Sequence, residues 1–230
     1  MDLQKIYKKC FKAIGGRSHE DIDWYFHQRS KTISRQNFFT EAVYAIWAGG
    51  KTRKAAQTIM KNAEVKGFNW NYNIIGSWNK QKLRKFAKKL YGRPPRKGAY
   101  KRWESIHNIA KQIKTFKSER IFCTSYFDGK VKSADLDDGD VLNLTSRNFS
   151  FIRETNARFI LRNMGGEFIK DDIWLKVFMN NYKTSLIDLK KRLKILNIPL
   201  GLFDAVIWLY CVEYVKKTKD FKAHFKKLFA

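Results

Sequence analysis

The chain has 230 residues, 47 of them basic and 21 acidic, which gives a formal net charge of +26. At 44% hydrophobic residues, seven of them Trp, it is too apolar for a disordered chain and large enough for a full core. So large a positive excess points to a polyanionic partner, nucleic acid before an anionic membrane.

Helical periodicity runs through most of the sequence. Leu3, Ile6, Tyr7, Cys10, Phe11 and Ile14 form one apolar stripe, ended by Gly15-Gly16. His19 to Arg29 and Asn37 to Ala48 read as the next two helices, and Gly49-Gly50 breaks the second. Lys51 to Asn62 continues as a basic helix. Residues 64 to 79 read as irregular and aromatic, Gln81 to Tyr91 as helix, and "GRPPRKG" (Gly92 to Gly98) as a basic turn. A long helix is predicted over Ala99 to Phe116, and the stretch 120 to 140 looks least helical. There, "DLDDGD" (Asp135 to Asp140) starts like a calcium loop, but its twelfth position is Ser146 rather than Glu, so it reads as an acidic loop capping the next helix. Phe149 to Met164 is predicted helical, with Ala157, Ile160, Leu161 and Met164 buried and Arg158 and Arg162 one turn apart. Gly165-Gly166 ends it, and Asp171 or Asp172 opens a helix reaching about Tyr182. Ser185 to Leu196, Gly201 to Val215 and a basic Phe221 to Phe229 complete the chain. No segment alternates with the period of a strand. The expected fold is all-α, a single domain over 1–230 with two packed helical lobes and a groove between them.

Cys10, Cys123 and Cys211 are too far apart for metal-ligand spacing, and three cannot hold a four-cysteine cluster. They read as buried, reduced thiols. The four histidines are equally scattered, so no metal is expected. No apolar run reaches about 18 residues, and the charged, amphipathic start is unlike a signal peptide. The basic residues are spread along the chain rather than gathered on one amphipathic helix. A cytoplasmic protein without a membrane partner is expected.

"IKDDIWLKVF" (Ile169 to Phe178) places two acids at the mouth of an apolar run in a basic chain. Helix capping accounts for them as they stand. A catalytic account rests on a longer unit, "FIRETNARFILRNMGGEFIKDDIWLK" (Phe151 to Lys176). Its order of helix, Gly-Gly break, short link, acid pair and helix resembles the helix-hairpin-helix DNA glycosylase superfamily. "ARFILRNMG" (Ala157 to Gly165) is similar to the archaeal-type 8-oxoguanine glycosylases, and "DDIWLK" (Asp171 to Lys176) to the 3-methyladenine glycosylase II branch. The resemblance places a divergent hairpin motif and acid segment at about 145–182 and makes Asp172 the catalytic carboxylate, with Asp171 as its cap or partner. It implies a DNA-binding groove, double-stranded DNA carrying a damaged or modified base as partner, a monomer, and no cofactor.

Looser similarity extends from Arg29 to Leu209. It suggests Trp208 and Trp47 for a base pocket, and Lys51, Arg53, Arg93, Arg96, Lys97 and Arg153 for DNA contacts. Trp24, Phe38 and Trp47 taken alone read as core. The chemistry suits one acid: breaking a base–sugar bond builds positive charge on the sugar, which a carboxylate stabilises while orienting water. Flipping the base out of the stack costs a few kcal/mol, offset by stacking and phosphate contacts.

This sequence departs from the family pattern at three places. The two hairpin glycines are replaced in "FIR" (Phe151 to Arg153), so Arg153 would meet a phosphate through its side chain. Thr155 stands where bifunctional members carry the lysine that attacks the sugar, which implies a monofunctional enzyme unless Lys170 supplies the amine. Gly49 stands where a larger residue often fills the gap left by the flipped base. The alternatives are a helical DNA-binding protein without catalysis, and a glycosylase acting on modified bases in defence or biosynthesis.

Overall fold

The computed structural model describes residues 2–48, 53–91, 94–170 and 172–215. Among them the architecture is all-helical, with a single isolated β-bridge, Thr32 to Lys132, and no strand. In chain order the helices are α1 (Leu3–Ala13), α2 (Glu20–Arg29), α3 (Arg35–Ala48), α4 (Arg53–Val65), α5 (Tyr72–Gly76), α6 (Lys80–Tyr91) and α7 (Lys97–Lys114). Then follow α8 (Glu119–Phe127), α9 (Asp138–Ser146), α10 (Glu154–Asn163), α11 (Ile173–Tyr182), α12 (Leu186–Ile195) and α13 (Leu200–Tyr210). A π-helical turn, Cys211–Val215, continues α13.

Local chemistry sets many of the starts. The side chains of Asp2, His19, Ser118, Asp137, Asp172 and Ser185 each accept a backbone N–H of the helix they precede. The acidic loop behaves as its sequence suggests. Asp137 and Asp140 form a reciprocal capping box, and buried Asp140 also takes Lys130 Nζ at 2.9 Å.

Four predicted elements change. Residues 64 to 79 include the short helix α5, capped by Asn71 and packed on α7. The stretch expected to be least helical contains α8, because Phe122, Cys123, Tyr126 and Phe127 recur on one face and are buried there. Helix α10 starts at Glu154 rather than Phe149. Residues 147 to 153 instead form a turn from α9, with Asn148 at φ 53° and Phe151 at φ 70°. The long helix after the basic turn begins at Lys97, two residues earlier than predicted. The predicted last helix, Phe221 to Phe229, lies outside the described residues.

The buried side chains form two clusters. The larger is built from α3 to α10 and includes an aromatic group in which Trp103 stacks on Trp70 and meets Trp47 and Phe68 edge-on. The second joins the first described helices to the last: α1 and α2 pack with Ile169 and α11 to α13. Cys10, Cys123 and Cys211 are free and buried, as expected. Phe38 is core, also as expected.

The chain crosses from the first cluster to the second between Phe168 and Ile169, just after Gly165-Gly166, where three segments meet. Gly165 has φ +100°, and a Cβ there would stand 2.4 Å from the Arg29 backbone. A Cβ on Gly201, at the start of α13, would stand 2.5 Å from the Gly166 carbonyl oxygen. The Gly-Gly break is therefore a close approach of backbones as well as a helix end. Arg29 pairs with Glu167, which accepts the Leu200 N–H at 2.6 Å and locks the crossing to α13.

Candidate active site: a cavity beside the acid segment

Asp172 is the N-cap of α11. Its Oδ1 accepts the Trp174 and Leu175 N–H groups at 2.9 and 3.1 Å, and its Oδ2 lies 3.8 Å from Lys170 Nζ. Its side chain is only 15% exposed. The capping role inferred from the sequence is thus present. Asp171 lies outside the described residues.

Lys170 leads into a cavity of about 720 Å³ between the two clusters. One wall brings Tyr44 and Phe159, whose ring centroids are 5.6 Å apart, and the other Trp208 and Leu209. The Lys170 amine sits 4.6 Å from the Phe159 ring centroid and Arg162 sits 5.0 Å from the same ring. Burial, and then the nearby Arg162 charge, push the Lys170 amine below the usual lysine range; Asp172 and Asp204 oppose that shift.

Behind this surface runs a polar chain. Buried Arg162 pairs with buried Asp204, linking α10 to α13. Asp204 Oδ1 also accepts the Lys170 N–H at 3.2 Å, which fixes the backbone two residues before Asp172. Burial pushes the Asp204 carboxyl up to about 6, against the pull of Arg162. On its other side Arg162 donates to Asn163 Oδ1 at 3.1 Å, and Asn163 Nδ2 donates to Glu41 Oε2 at 2.9 Å. Glu41 is buried, and that burial pushes its carboxyl up to about 7.

Several sequence assignments change. Trp208 is half-buried and lines the cavity, as expected of a pocket residue. Trp47 does not; it is 1% exposed and packs edge-on against Trp103 at 5.3 Å. Trp24, read as core, is 45% exposed at the cavity rim. Arg158, grouped with Arg162, is tied to Asp138 and Glu154 away from the cavity wall. Thr155 is exposed in the first turn of α10 and lines neither this cavity nor the cleft described next. Glu41, Asn163 and Phe159 were not singled out. One signal was available for Glu41: in "FFTEAVYAIW" it is the single acid in an apolar run.

A second cleft, of about 520 Å³, lies beside the turn between α9 and α10. Lys80, Lys101 and Arg153 line it with Ser150, Phe151 and Glu104, and Ser105 Oγ donates to the Ser150 carbonyl at 2.6 Å. All three cations are exposed, and none has an ion-pair partner among the described residues. Arg96 and Lys97 are exposed at the start of α7. Lys51, Arg93 and Gly49 lie outside the described residues, as does the side chain of Arg53.

Comparison of the chain with protein-family models, with curated proteins and with solved structures finds no match. Among the described residues no group of His, Cys, Asp and Glu is arranged to hold a metal ion. No single described helix is long and apolar enough to cross a membrane.

Proposed function

We propose that this chain is a monofunctional DNA glycosylase: it holds duplex DNA, takes a damaged or modified base into the cavity, and hydrolyses its N-glycosidic bond with a water oriented by Asp172. The two clusters then act as the two lobes of a glycosylase fold, the cavity as the floor of its groove, and the turn at 147–153 as its divergent hairpin. The observation that carries the reading is the cavity itself, whose wall includes Lys170 while Asp172 Oδ2 lies 3.8 Å from that amine. Its volume suits a flat ring between aromatic side chains. Two features support the DNA part. The net charge is +26, and three cations without an ion-pair partner among the described residues line the cleft at the turn. The left-handed angle at Phe151 keeps the backbone path that a glycine would adopt, although the glycines are gone.

One observation favours a second reading, a DNA-binding protein without catalysis. Both oxygens of Asp172 are engaged, one by two helix N–H groups and one by Lys170, as a purely structural cap would be.

A panel of duplexes, each carrying one altered base, separates the two readings. The expected result is base release from at least one duplex, with strand breaks only after alkali. Breaks without alkali would move the nucleophile to Lys170. Tight, salt-sensitive binding with no release from any duplex would leave the binding protein.

A further inference from the structure

Among the carboxyls that line the cavity, Glu41 is the buried one, and the reaction above gives it no task. Glu41 projects from α3 into the cavity, on the α10 side, and is held there by Asn163. Only Oε2 is engaged among the described residues; Oε1 has no partner there. Through Asn163, Arg162 and Asp204 its position is coupled to the Lys170 backbone, and so to the segment bearing Asp172.

Two carboxyls around one scissile glycosidic bond divide the labour, one ionised and one protonated. Resting on the base-excision reading, we propose that Glu41 is the general acid of this cavity, giving its proton to a ring nitrogen of the departing base. The C1′–N bond breaks and its electron pair stays on the base nitrogen, which takes the proton from Glu41. The water oxygen bonds to C1′ and its proton passes to the Asp172 carboxylate. Solvent then returns a proton from Asp172 to Glu41, so the sum is hydrolysis.

The surroundings fit a carboxyl kept protonated near neutrality. Arg162, Lys170 and Lys61 face the cavity as cations, and Glu20, Asp21 and Glu64 as acids. The cation that acts on Glu41, Arg162, is already matched by Asp204. Burial outweighs Arg162 and Asn163 and leaves Glu41 near 7.

Free purines and pyrimidines, titrated into the intact protein by calorimetry at pH 6 and pH 8, test the donor directly. An acid half-protonated near 7 binds a base acceptor about tenfold more tightly at the lower pH. Glu41→Gln, with nearly the same shape and still an acceptor for Asn163, should abolish that difference. Absent binding, or binding equal at both pH values, overturns the proposal. Base release gives the second arm. With a neutral base Glu41→Gln should lower the rate by about 100-fold. With an N7-methylated purine, which leaves without needing a proton, the rate should change little. An equal fall on both bases would make Glu41 structural and overturn its role as acid. Should the wild type release no base at all, base excision itself fails, while the titration still decides whether Glu41 is a proton donor.

Discussion

The two concave regions of this protein handle charge in opposite ways. Behind the cavity between the clusters a chain of buried groups is joined together, from Glu41 through Asn163 and Arg162 to Asp204. In the cleft at the turn, Lys80, Lys101 and Arg153 stand exposed, unpaired among the described residues. Fixed, desolvated groups suit chemistry on a small ring, since their orientation costs nothing at the moment of reaction. Exposed flexible cations suit a polyanion, whose affinity comes from released counterions rather than from shape. The difference teaches that buried, paired charge and exposed cations sit on separate surfaces of the molecule.

That contrast is tested most severely by Arg162→Met. It leaves Asp204 buried without its partner and should cost about 3–5 kcal/mol, read by urea unfolding. Restoring most of that loss with Asp204→Leu in the same chain would show the pair to be a mutual compensation; no loss in the single variant would mean the cavity is wetter than its burial implies. Gly165→Ala should follow, at about 3 kcal/mol, because its Cβ would meet the Arg29 backbone and its φ is left-handed.

Acidity gives the third test. Glu41 has its folded value raised from 4.5 to about 7. Its contribution to stability is therefore full below about pH 4.5 and is lost as pH rises through about 7. Relative to Glu41→Gln, the wild type should lose stability between pH 5 and pH 8, on the order of 3 kcal/mol at most. Parallel curves for the two proteins would mean that Glu41 is solvated. The smallest effect on stability belongs to the cleft. Lys80→Ala, Lys101→Ala and Arg153→Ala should each leave stability within about 0.5 kcal/mol. Each should also weaken DNA binding and reduce the salt slope by about 0.9. Unchanged slopes in all three would remove the cleft from the DNA-binding surface.

Features set by neighbouring residues were legible in the sequence. An aspartate of the Asp171-Asp172 pair as a helix cap, the acidic loop Asp135 to Asp140 as the cap of the next helix and the Gly165-Gly166 break all follow from chemistry within a few positions. What depends on distant partners was not. Trp24 and Trp47 both read as core, yet one is exposed at the cavity rim and the other is sealed beneath Trp103. The apolar run Phe149 to Ile152 reads as helix, but left-handed Asn148 and Phe151 turn it back before α10 can start. Asp204 and Arg162 each stand as a charge among apolar positions of the sequence. Only the packing of α13 near the end of α10 makes them a pair.

The central claim is that Asp172 works as a catalytic carboxylate in addition to capping α11. Asn also caps helices well, so Asp172→Asn removes the charge while sparing the cap. The measurement is single-turnover release of the excised base by Asp172→Asn, beside Asp171→Asn and the wild type, with melting curves to confirm equal folding. The expected result is a fall of about 100-fold or more for Asp172→Asn alone. Full activity in that variant would contradict the assignment and leave Asp172 as a cap.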